Sequence, residues 1–130
     1  MAPEARYQLS DVFRLLDEKK FWFSARSRSI FQVARIFEAR GEPLAEDEVE
    51  TFILRGIKAL TDAHFVQRVI QWDDPKCVAD VYGIIFEGCP WYLKFLVDEE
   101  GLLEQISFHS PEKDLVTTGG IMVPKGAFGL

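Results

Sequence analysis

Hydrophobic residues recur at helical spacing in three segments of the N-terminal half of the chain. The first helix is predicted to start near Ser10, and the second runs through SIFQVARIFEARG, residues 29–41. The third opens at AEDE, residues 45–48, and its apolar stripe continues to Leu60. One apolar face repeated every three to four residues is typical of amphipathic helices. Gly56 falls on the stripe of the third helix, where its small size predicts a close packing contact.

After Asp62 the hydrophobic period changes to two, which is typical of β-strands. Four strands are predicted, in HFVQRVIQW, CVADVYGIIFEG, WYLKFLVD and LLEQISFHS, and DDPK (residues 73–76) is predicted to form the turn between the first two. The fold class is therefore α+β, with about three N-terminal helices packed on one face of a four-stranded antiparallel meander sheet. Residues 1–114 are predicted to form this single domain, and residues 115–130 a loop-like C-terminal tail.

The strand WYLKFLVD separates two sets of side chains, because successive residues of a strand point to opposite faces. Its apolar set, which begins with Trp91, is assigned to the core, and Tyr92 and Lys94 are assigned to the outer face. In the next strand Ile106 and Phe108 are expected in the core, with Gln105, Ser107 and His109 outside. Antiparallel pairing then makes Tyr92 and His109 neighbours. A phenol, an ammonium and an imidazole would converge there, although a solvated polar face explains the same pattern.

Charge and composition narrow the classes of function. The chain of 130 residues has a formal net charge of −6, which argues against extended contact with nucleic acid, since phosphates are bound by clustered Lys and Arg. A local basic segment nevertheless contains Arg26, Arg28 and Arg35, either as RNA contacts or as a solvated helix face. Two Cys and two His lack zinc-site spacing, so no metal or cofactor is predicted. Without a signal peptide or an apolar span, a cytoplasmic location and no membrane contact are expected.

Four short motifs resemble the MqsR family of bacterial toxin ribonucleases. They are LTDAHFVQRV, ADVYG, WYLKFLVD and ISFHSPEK, within residues 60–113, and YQLSDVFRLL is similar to the family's N-terminal part. The resemblance implies a RelE-like fold and a toxin of a type II toxin–antitoxin system. It also implies metal-independent cleavage of messenger RNA by attack of the ribose 2'-hydroxyl on the adjacent phosphate. The implied partners are the RNA substrate and a cognate antitoxin protein; no DNA contact by the toxin itself is expected.

The resemblance also assigns roles to individual residues. The family's catalytic tyrosine falls on Tyr92, and His109 stands where the family usually has lysine. Tyr92 is predicted to position the phosphate, His109 to act as acid or base, and Lys94 to stabilise developing charge. The predicted substrate contacts are Gln67, at a position where the family has lysine, Arg68 beside it, and Arg26 with Arg28. A glutamine of the family falls on Ala79.

Two other functions are left open by the sequence. A non-catalytic protein-interaction or regulatory module on the same fold is favoured by the acidic charge and by Gln67 and Ala79 at expected site positions. An enzyme with an unrelated substrate is the third hypothesis, since Cys89 precedes Pro90 at a predicted turn.

Overall fold

A computed structural model describes residues 4–71 and 74–126 of the chain. Its three α-helices are α1 (Leu9–Asp17), α2 (Arg26–Ala39) and α3 (Glu46–Lys58), and a short 3-10 helix (Asp62–His64) follows. The α3 helix begins as its sequence predicts, with acidic residues in the first turn and the Glu48 carboxylate accepting the Ala45 backbone N–H at 2.9 Å. None of the described helices is both long and apolar enough to cross a membrane.

Within the described residues, seven strands accompany these helices. They are β1 (Phe21–Phe23), β2 (Phe65–Gln71), β3 (Asp74–Phe86), β4 (Cys89–Val97), β5 (Leu103–His109), β6 (Leu115–Val116) and β7 (Met122–Val123). The main sheet has five strands in the order β1-β5-β4-β3-β2, and β6 pairs with β7 in a separate two-stranded sheet. Strands β2 to β5 pair antiparallel in sequence order, whereas β1 pairs parallel to β5.

The predicted four-stranded, wholly antiparallel sheet of RelE-like form is wrong. The α+β molecule has a mixed sheet, because FWF joins the edge of β5 as a fifth strand. This strand is only three residues long, so it is too short to show the alternating pattern that predicts a strand. Its partner β5 lies about 80 residues further along the sequence. The first residue of the turn predicted at DDPK, residue 73, lies outside the described residues, and Asp74 already pairs with Gln71.

The core fills the space between the helices and one face of the sheet, which we call the inner face. At its centre the ring of Phe52 from α3 lies 5.5 Å from Trp91 of β4 and 6.1 Å from Phe108 of β5. Gly56 lies one turn further along α3, and a Cβ there would come within 2.8 Å of Phe108 Cζ. The predicted close contact at Gly56 is thus confirmed, and it lets α3 approach the sheet.

A β-bulge in β5 determines which of its side chains reach the opposite, outer face. Lys94 pairs with Ser107 and Phe95 pairs with Gln105, so Ile106 is an extra residue between them. Before the bulge, Gln105 points inward and is buried, with its Oε1 3.4 Å from Ser29 Oγ of α2. The expectation that Gln105 lies outside and Ile106 in the core is therefore wrong. After the bulge, Ser107 and His109 point outward.

The segment after β5 folds back over the outer face, where the sequence predicts a loop-like tail. Strands β6 and β7 pair through Leu115 with Val123 and Val116 with Met122. This hairpin packs on β3 at Gly83, where an added Cβ would lie 3.1 Å from Leu115 Cδ1. The absence of a side chain at Gly83 therefore provides the space for the hairpin. The domain boundary at residue 114 itself stays a prediction.

Candidate functional site

Strands β4 and β5 bring Tyr92 and His109 together on the outer face. The two residues are paired across the strands, and their rings stack with centroids 4.9 Å apart and planes inclined by 14°. The prediction that Tyr92 and His109 are neighbours is thus confirmed. Both side chains are half-buried, and the stacking fixes the orientation of the imidazole relative to the phenol.

One hydrogen bond determines which tautomer the neutral His109 ring adopts. The His109 Nδ1 lies 2.7 Å from the backbone carbonyl oxygen of Ser110, which is itself buried. A carbonyl oxygen can only accept, so Nδ1 carries the proton and donates it. In the neutral ring Nε2 then holds the lone pair, and in the charged ring it holds a proton to give. His109 is therefore prepared for proton transfer through Nε2.

The Tyr92 phenol is kept in its neutral form. Burial raises the pKa of Tyr92 above its ordinary value of 10.0, and the negative charge of Glu112 raises this pKa further. The phenol consequently remains a hydrogen-bond donor at neutral pH. This suits Tyr92 to hold an anionic oxygen, and it disfavours Tyr92 as a base.

An open pocket of about 590 Å³ surrounds this pair. Its wall includes two cations, Lys94 from β4 and Lys113 from the segment after β5. Within residues 4–71 and 74–126, neither ammonium group is engaged in an ion pair. The pocket therefore combines an imidazole, a phenol and two ammonium groups whose charge is available to an anionic ligand.

Three of the pocket residues that the sequence did not predict come from one segment. Glu112, Lys113 and Leu115 all come from the segment after β5, which bends at residues 112 and 113 and reaches Gly83 of β3 through Leu115. The motif HSPEK did contain a signal, because Pro111, two residues after the end of β5, has no backbone N–H with which to continue the strand. Whether the charged residues after that turn face the sheet or solvent depends on the later hairpin, which has no strong pattern of its own.

Strand β2 contributes Gln67 but not Arg68 to the pocket. A register shift between Phe65 and Gln67 places Gln67 opposite Val81, and both residues line the pocket. Arg68 pairs with Asp80 and lies on the other face, where its charge counteracts the burial that raises the pKa of the Asp80 carboxyl. Strand β2 does contain a bulge, which Arg68 would need in order to take the place of Gln67. The extra residue is Val66, however, and Arg68 stays on the other face. The contact of Arg68 with RNA stays a prediction, away from this pocket.

The arginines of α2 also lie outside the pocket. Arg26 is paired with two carboxylates of α3, through Nη1 to Glu46 at 2.7 Å and Nη2 to Glu50 at 3.0 Å. These contacts raise the pKa of the Arg26 guanidinium, with the hydrogen bond to Glu46 as the largest cause. Arg28 is exposed on the same helix, on the side of the sheet opposite Tyr92. RNA contacts by Arg26 and Arg28 stay predictions, and they do not belong to this site.

Two further residues that the sequence analysis discusses, Cys89 and Ala79, also lie outside the pocket. Cys89, half-buried at the start of β4, packs against the core and accepts a contact from Arg40 Nη1 at 3.5 Å. In the part of the chain that the structure describes, no group of three or more His, Cys, Asp and Glu side chains is arranged to hold a metal ion. Ala79, where the resemblance expects a glutamine, is fully buried beside Val69.

Comparison of the sequence with known protein families finds no match, and comparison with curated proteins finds none either. Function must therefore be argued from the outer-face pocket and from the motifs themselves.

Proposed function

We propose that the outer-face pocket is the active site of a metal-independent endoribonuclease that cleaves messenger RNA. The observation that supports this most is the Tyr92–His109 stack, in which the bond from Nδ1 to Ser110 leaves Nε2 for proton transfer beside Lys94. The resemblance to the MqsR toxins points to the same residues. It further leads us to propose a type II toxin, a cognate antitoxin as its partner, and a cytoplasmic location.

The chain itself supplies every protein group that the proposed reaction uses. The 2'-hydroxyl oxygen attacks the adjacent phosphorus and loses its proton, and the bond from phosphorus to the 5'-oxygen breaks as that oxygen gains a proton. The products are a 2',3'-cyclic phosphate and a 5'-hydroxyl end. His109 Nε2 serves as one of the two proton-transfer groups.

The other pocket groups stabilise charge on the phosphate. Lys94 and Lys113 place positive charge at the pocket wall, where negative charge develops on the non-bridging oxygens. Tyr92 donates a hydrogen bond to one of these oxygens, because its raised pKa keeps the phenol protonated. These groups act without being consumed, so they complement the proton transfer by His109.

A non-catalytic binding module is the second candidate, and one observation favours it. Glu112 adds a carboxylate to the pocket, which opposes the binding of a phosphate, and the chain as a whole carries a net charge of −6. Such a module would use the pocket for a protein or small-molecule ligand and would leave RNA intact.

Cleavage of RNA separates the two candidates. Purified protein, free of other chains, is incubated with a long single-stranded RNA in EDTA, beside the variants His109→Ala and His64→Ala. We expect the wild-type protein and His64→Ala to produce the same discrete cuts with 5'-hydroxyl ends. The His109→Ala rate should fall about 100- to 10,000-fold. A folded wild-type protein that makes no cuts would overturn the ribonuclease proposal in favour of the binding module.

A further inference from the structure

The pocket contains one proton-accepting group that the reaction described above does not use. Glu112 lies three residues after His109 and lines the same pocket as Tyr92, Lys94 and His109. The residue is exposed, and it forms no ion pair within residues 4–71 and 74–126. A carboxylate in a pocket that is proposed to bind a phosphate opposes that binding, so a chemical role would account for its presence.

Glu112 and His109 both line the pocket that contains Tyr92. The charge of Glu112 acts on the Tyr92 phenol, and the His109 ring stacks on the Tyr92 ring at 4.9 Å. The carboxylate and the imidazole therefore form one cluster around Tyr92. His109 is the last residue of β5, and Glu112 lies in the bend that begins three residues further along the chain.

Cleavage by 2'-hydroxyl attack requires two proton transfers in one event. One group must be unprotonated to accept the proton of the 2'-hydroxyl, and another must be protonated to supply the 5'-oxygen. A single imidazole cannot be in both states at the start. Tyr92 is disfavoured as a base, and the lysines are positively charged, which leaves the carboxylate as the remaining acceptor in the pocket.

We propose that Glu112 is the general base and that His109, in its charged form, is the general acid. This inference rests on the proposed ribonuclease function. The Glu112 carboxylate takes the proton of the 2'-hydroxyl as the oxygen bonds to phosphorus, and His109 Nε2 gives its proton to the 5'-oxygen as the phosphorus–oxygen bond breaks. Glu112 ends neutral and protonated, His109 ends neutral, and water restores both states.

The surrounding groups agree with this division of roles. The Ser110 carbonyl oxygen accepts from Nδ1, so the proton that the His109 ring can give to a substrate is the one on Nε2. Facing Glu112 are Tyr92 and Lys94 from β4, His109 from β5 and Lys113 beside it, whereas β2 contributes the uncharged Gln67. Among the described residues, the pocket lining thus sets two cations and no second carboxylate with Glu112.

The dependence of single-turnover cleavage on pH tests the inference. For the wild-type protein we expect a bell-shaped profile, because the proposed reaction requires an unprotonated base and a protonated acid at the same time. In Glu112→Gln the rate should fall about 100- to 10,000-fold, and the low-pH limb should disappear. In Glu112→Asp a shifted low-pH limb should return. The matched control Glu99→Gln removes the same charge at the other end of the β4–β5 hairpin and should keep the rate and both limbs.

Each other outcome contradicts the inference in a recognisable way. A Glu112→Gln protein that cleaves at the wild-type rate with an unchanged low-pH limb would show that Glu112 is not the base, while the ribonuclease function stands. A changed choice of nucleotide at an unchanged rate would make Glu112 a base-reading residue instead. A wild-type protein that cuts nothing would overturn both proposals. Should Glu112→Gln fail to fold, a low-pH limb of Glu112→Asp identical to that of the wild type would reject the role.

Discussion

The two faces of β4 differ in what their side chains are able to do. On the inner face Trp91, Leu93 and Phe95 are buried among the helices, and Trp91 Nε1 donates to the Phe86 carbonyl at 3.0 Å. On the outer face Tyr92 and Lys94 are half-buried beside an open pocket. Successive residues of one strand therefore experience a packed apolar environment and a partly hydrated polar one.

The side chains on one face of β4 therefore serve stability, and those on the other face are available for the proposed reaction. The inner-face side chains of β4 have their contacts satisfied within the protein, so removing them costs packing energy. Outer-face groups keep unused capacity: within the described residues, the Lys94 ammonium has no ion pair and His109 Nε2 has no hydrogen-bond partner. We expect substitutions on the inner face to change the free energy of unfolding, and substitutions on the outer face to change cleavage.

The largest effect on stability is expected at the centre of the inner face. Trp91→Ala should lower the free energy of unfolding by ~3–5 kcal/mol, because it removes a fully buried ring that contacts Phe52 and Phe108. Denaturant unfolding of the variant and the wild-type protein measures this difference. A loss below about 1 kcal/mol would mean that the inner face is not the main source of stability.

The next effect tests how closely α3 packs on the inner face. Gly56→Ala should lower the free energy of unfolding by ~1–3 kcal/mol, although Ala is the better helix former, because its Cβ would lie 2.8 Å from Phe108 Cζ. The matched background is Phe108→Leu, whose shorter side chain lacks that atom. There, Gly56→Ala should cost less or stabilise the protein. An equal cost in both backgrounds would reject the clash as the cause.

A smaller effect distinguishes the two histidines. His64 Nδ1 accepts the Thr61 backbone N–H at 2.9 Å, which is the opposite role from His109 Nδ1, and burial lowers the pKa of His64 below 6.5. As the pH falls, His64 therefore takes up a proton in the unfolded chain before it does so in the folded protein. The contribution of His64 is complete above 6.5 and is lost as the pH falls through that value toward the lowered pKa.

His64→Gln keeps an acceptor for Thr61 but cannot titrate, so it should unfold with a weaker dependence on pH across this window. Unfolding measured at a series of pH values, with His109 present in both proteins, gives the difference between the two slopes. Parallel slopes for the variant and the wild-type protein would contradict the assigned neutral state of His64.

The smallest effect on stability is expected for the outer face itself. Tyr92→Phe should change the free energy of unfolding by less than about 0.5 kcal/mol, because the ring and its stacking on His109 are retained. The same variant should cleave RNA more slowly, since the phosphate loses a donor. A large loss of stability with unchanged cleavage would reverse the proposed roles of the two faces.

The parts of the site that local pattern determines were predictable. The apolar and polar positions of β4 alternate strictly near Tyr92, so the face of Tyr92 and its neighbour His109 follow from the sequence. Counting from the β4–β5 turn would nevertheless have failed. Leu103 points inward, and a regular strand would then turn His109 inward as well. The extra residue Ile106 reverses the faces, and nothing in its local sequence signals this.

The parts that depend on distant contacts were not predictable. β1 is a strand only because β5 offers it an edge, and β6 and β7 are two residues long and rely on the space above Gly83. Glu112 and Lys113 enter the pocket as a consequence of that hairpin. Arg68 and Arg26 show the converse: their charge suggested RNA contacts, whereas Arg68 pairs with Asp80 in the sheet and Arg26 binds Glu46 of α3.

The most direct test of the central claim, that the outer-face pocket cleaves RNA through the 2'-hydroxyl, changes one atom of the substrate. Once a cut has been mapped, two oligonucleotides containing that site are compared, one wholly ribose and one with a single 2'-deoxynucleotide on the 5' side of the scissile phosphate. We predict that the wild-type protein cuts the first, leaves that bond of the second intact, and loses the cut in His109→Ala. Cleavage of the deoxy-substituted bond, or equal cleavage by His109→Ala, would contradict the account.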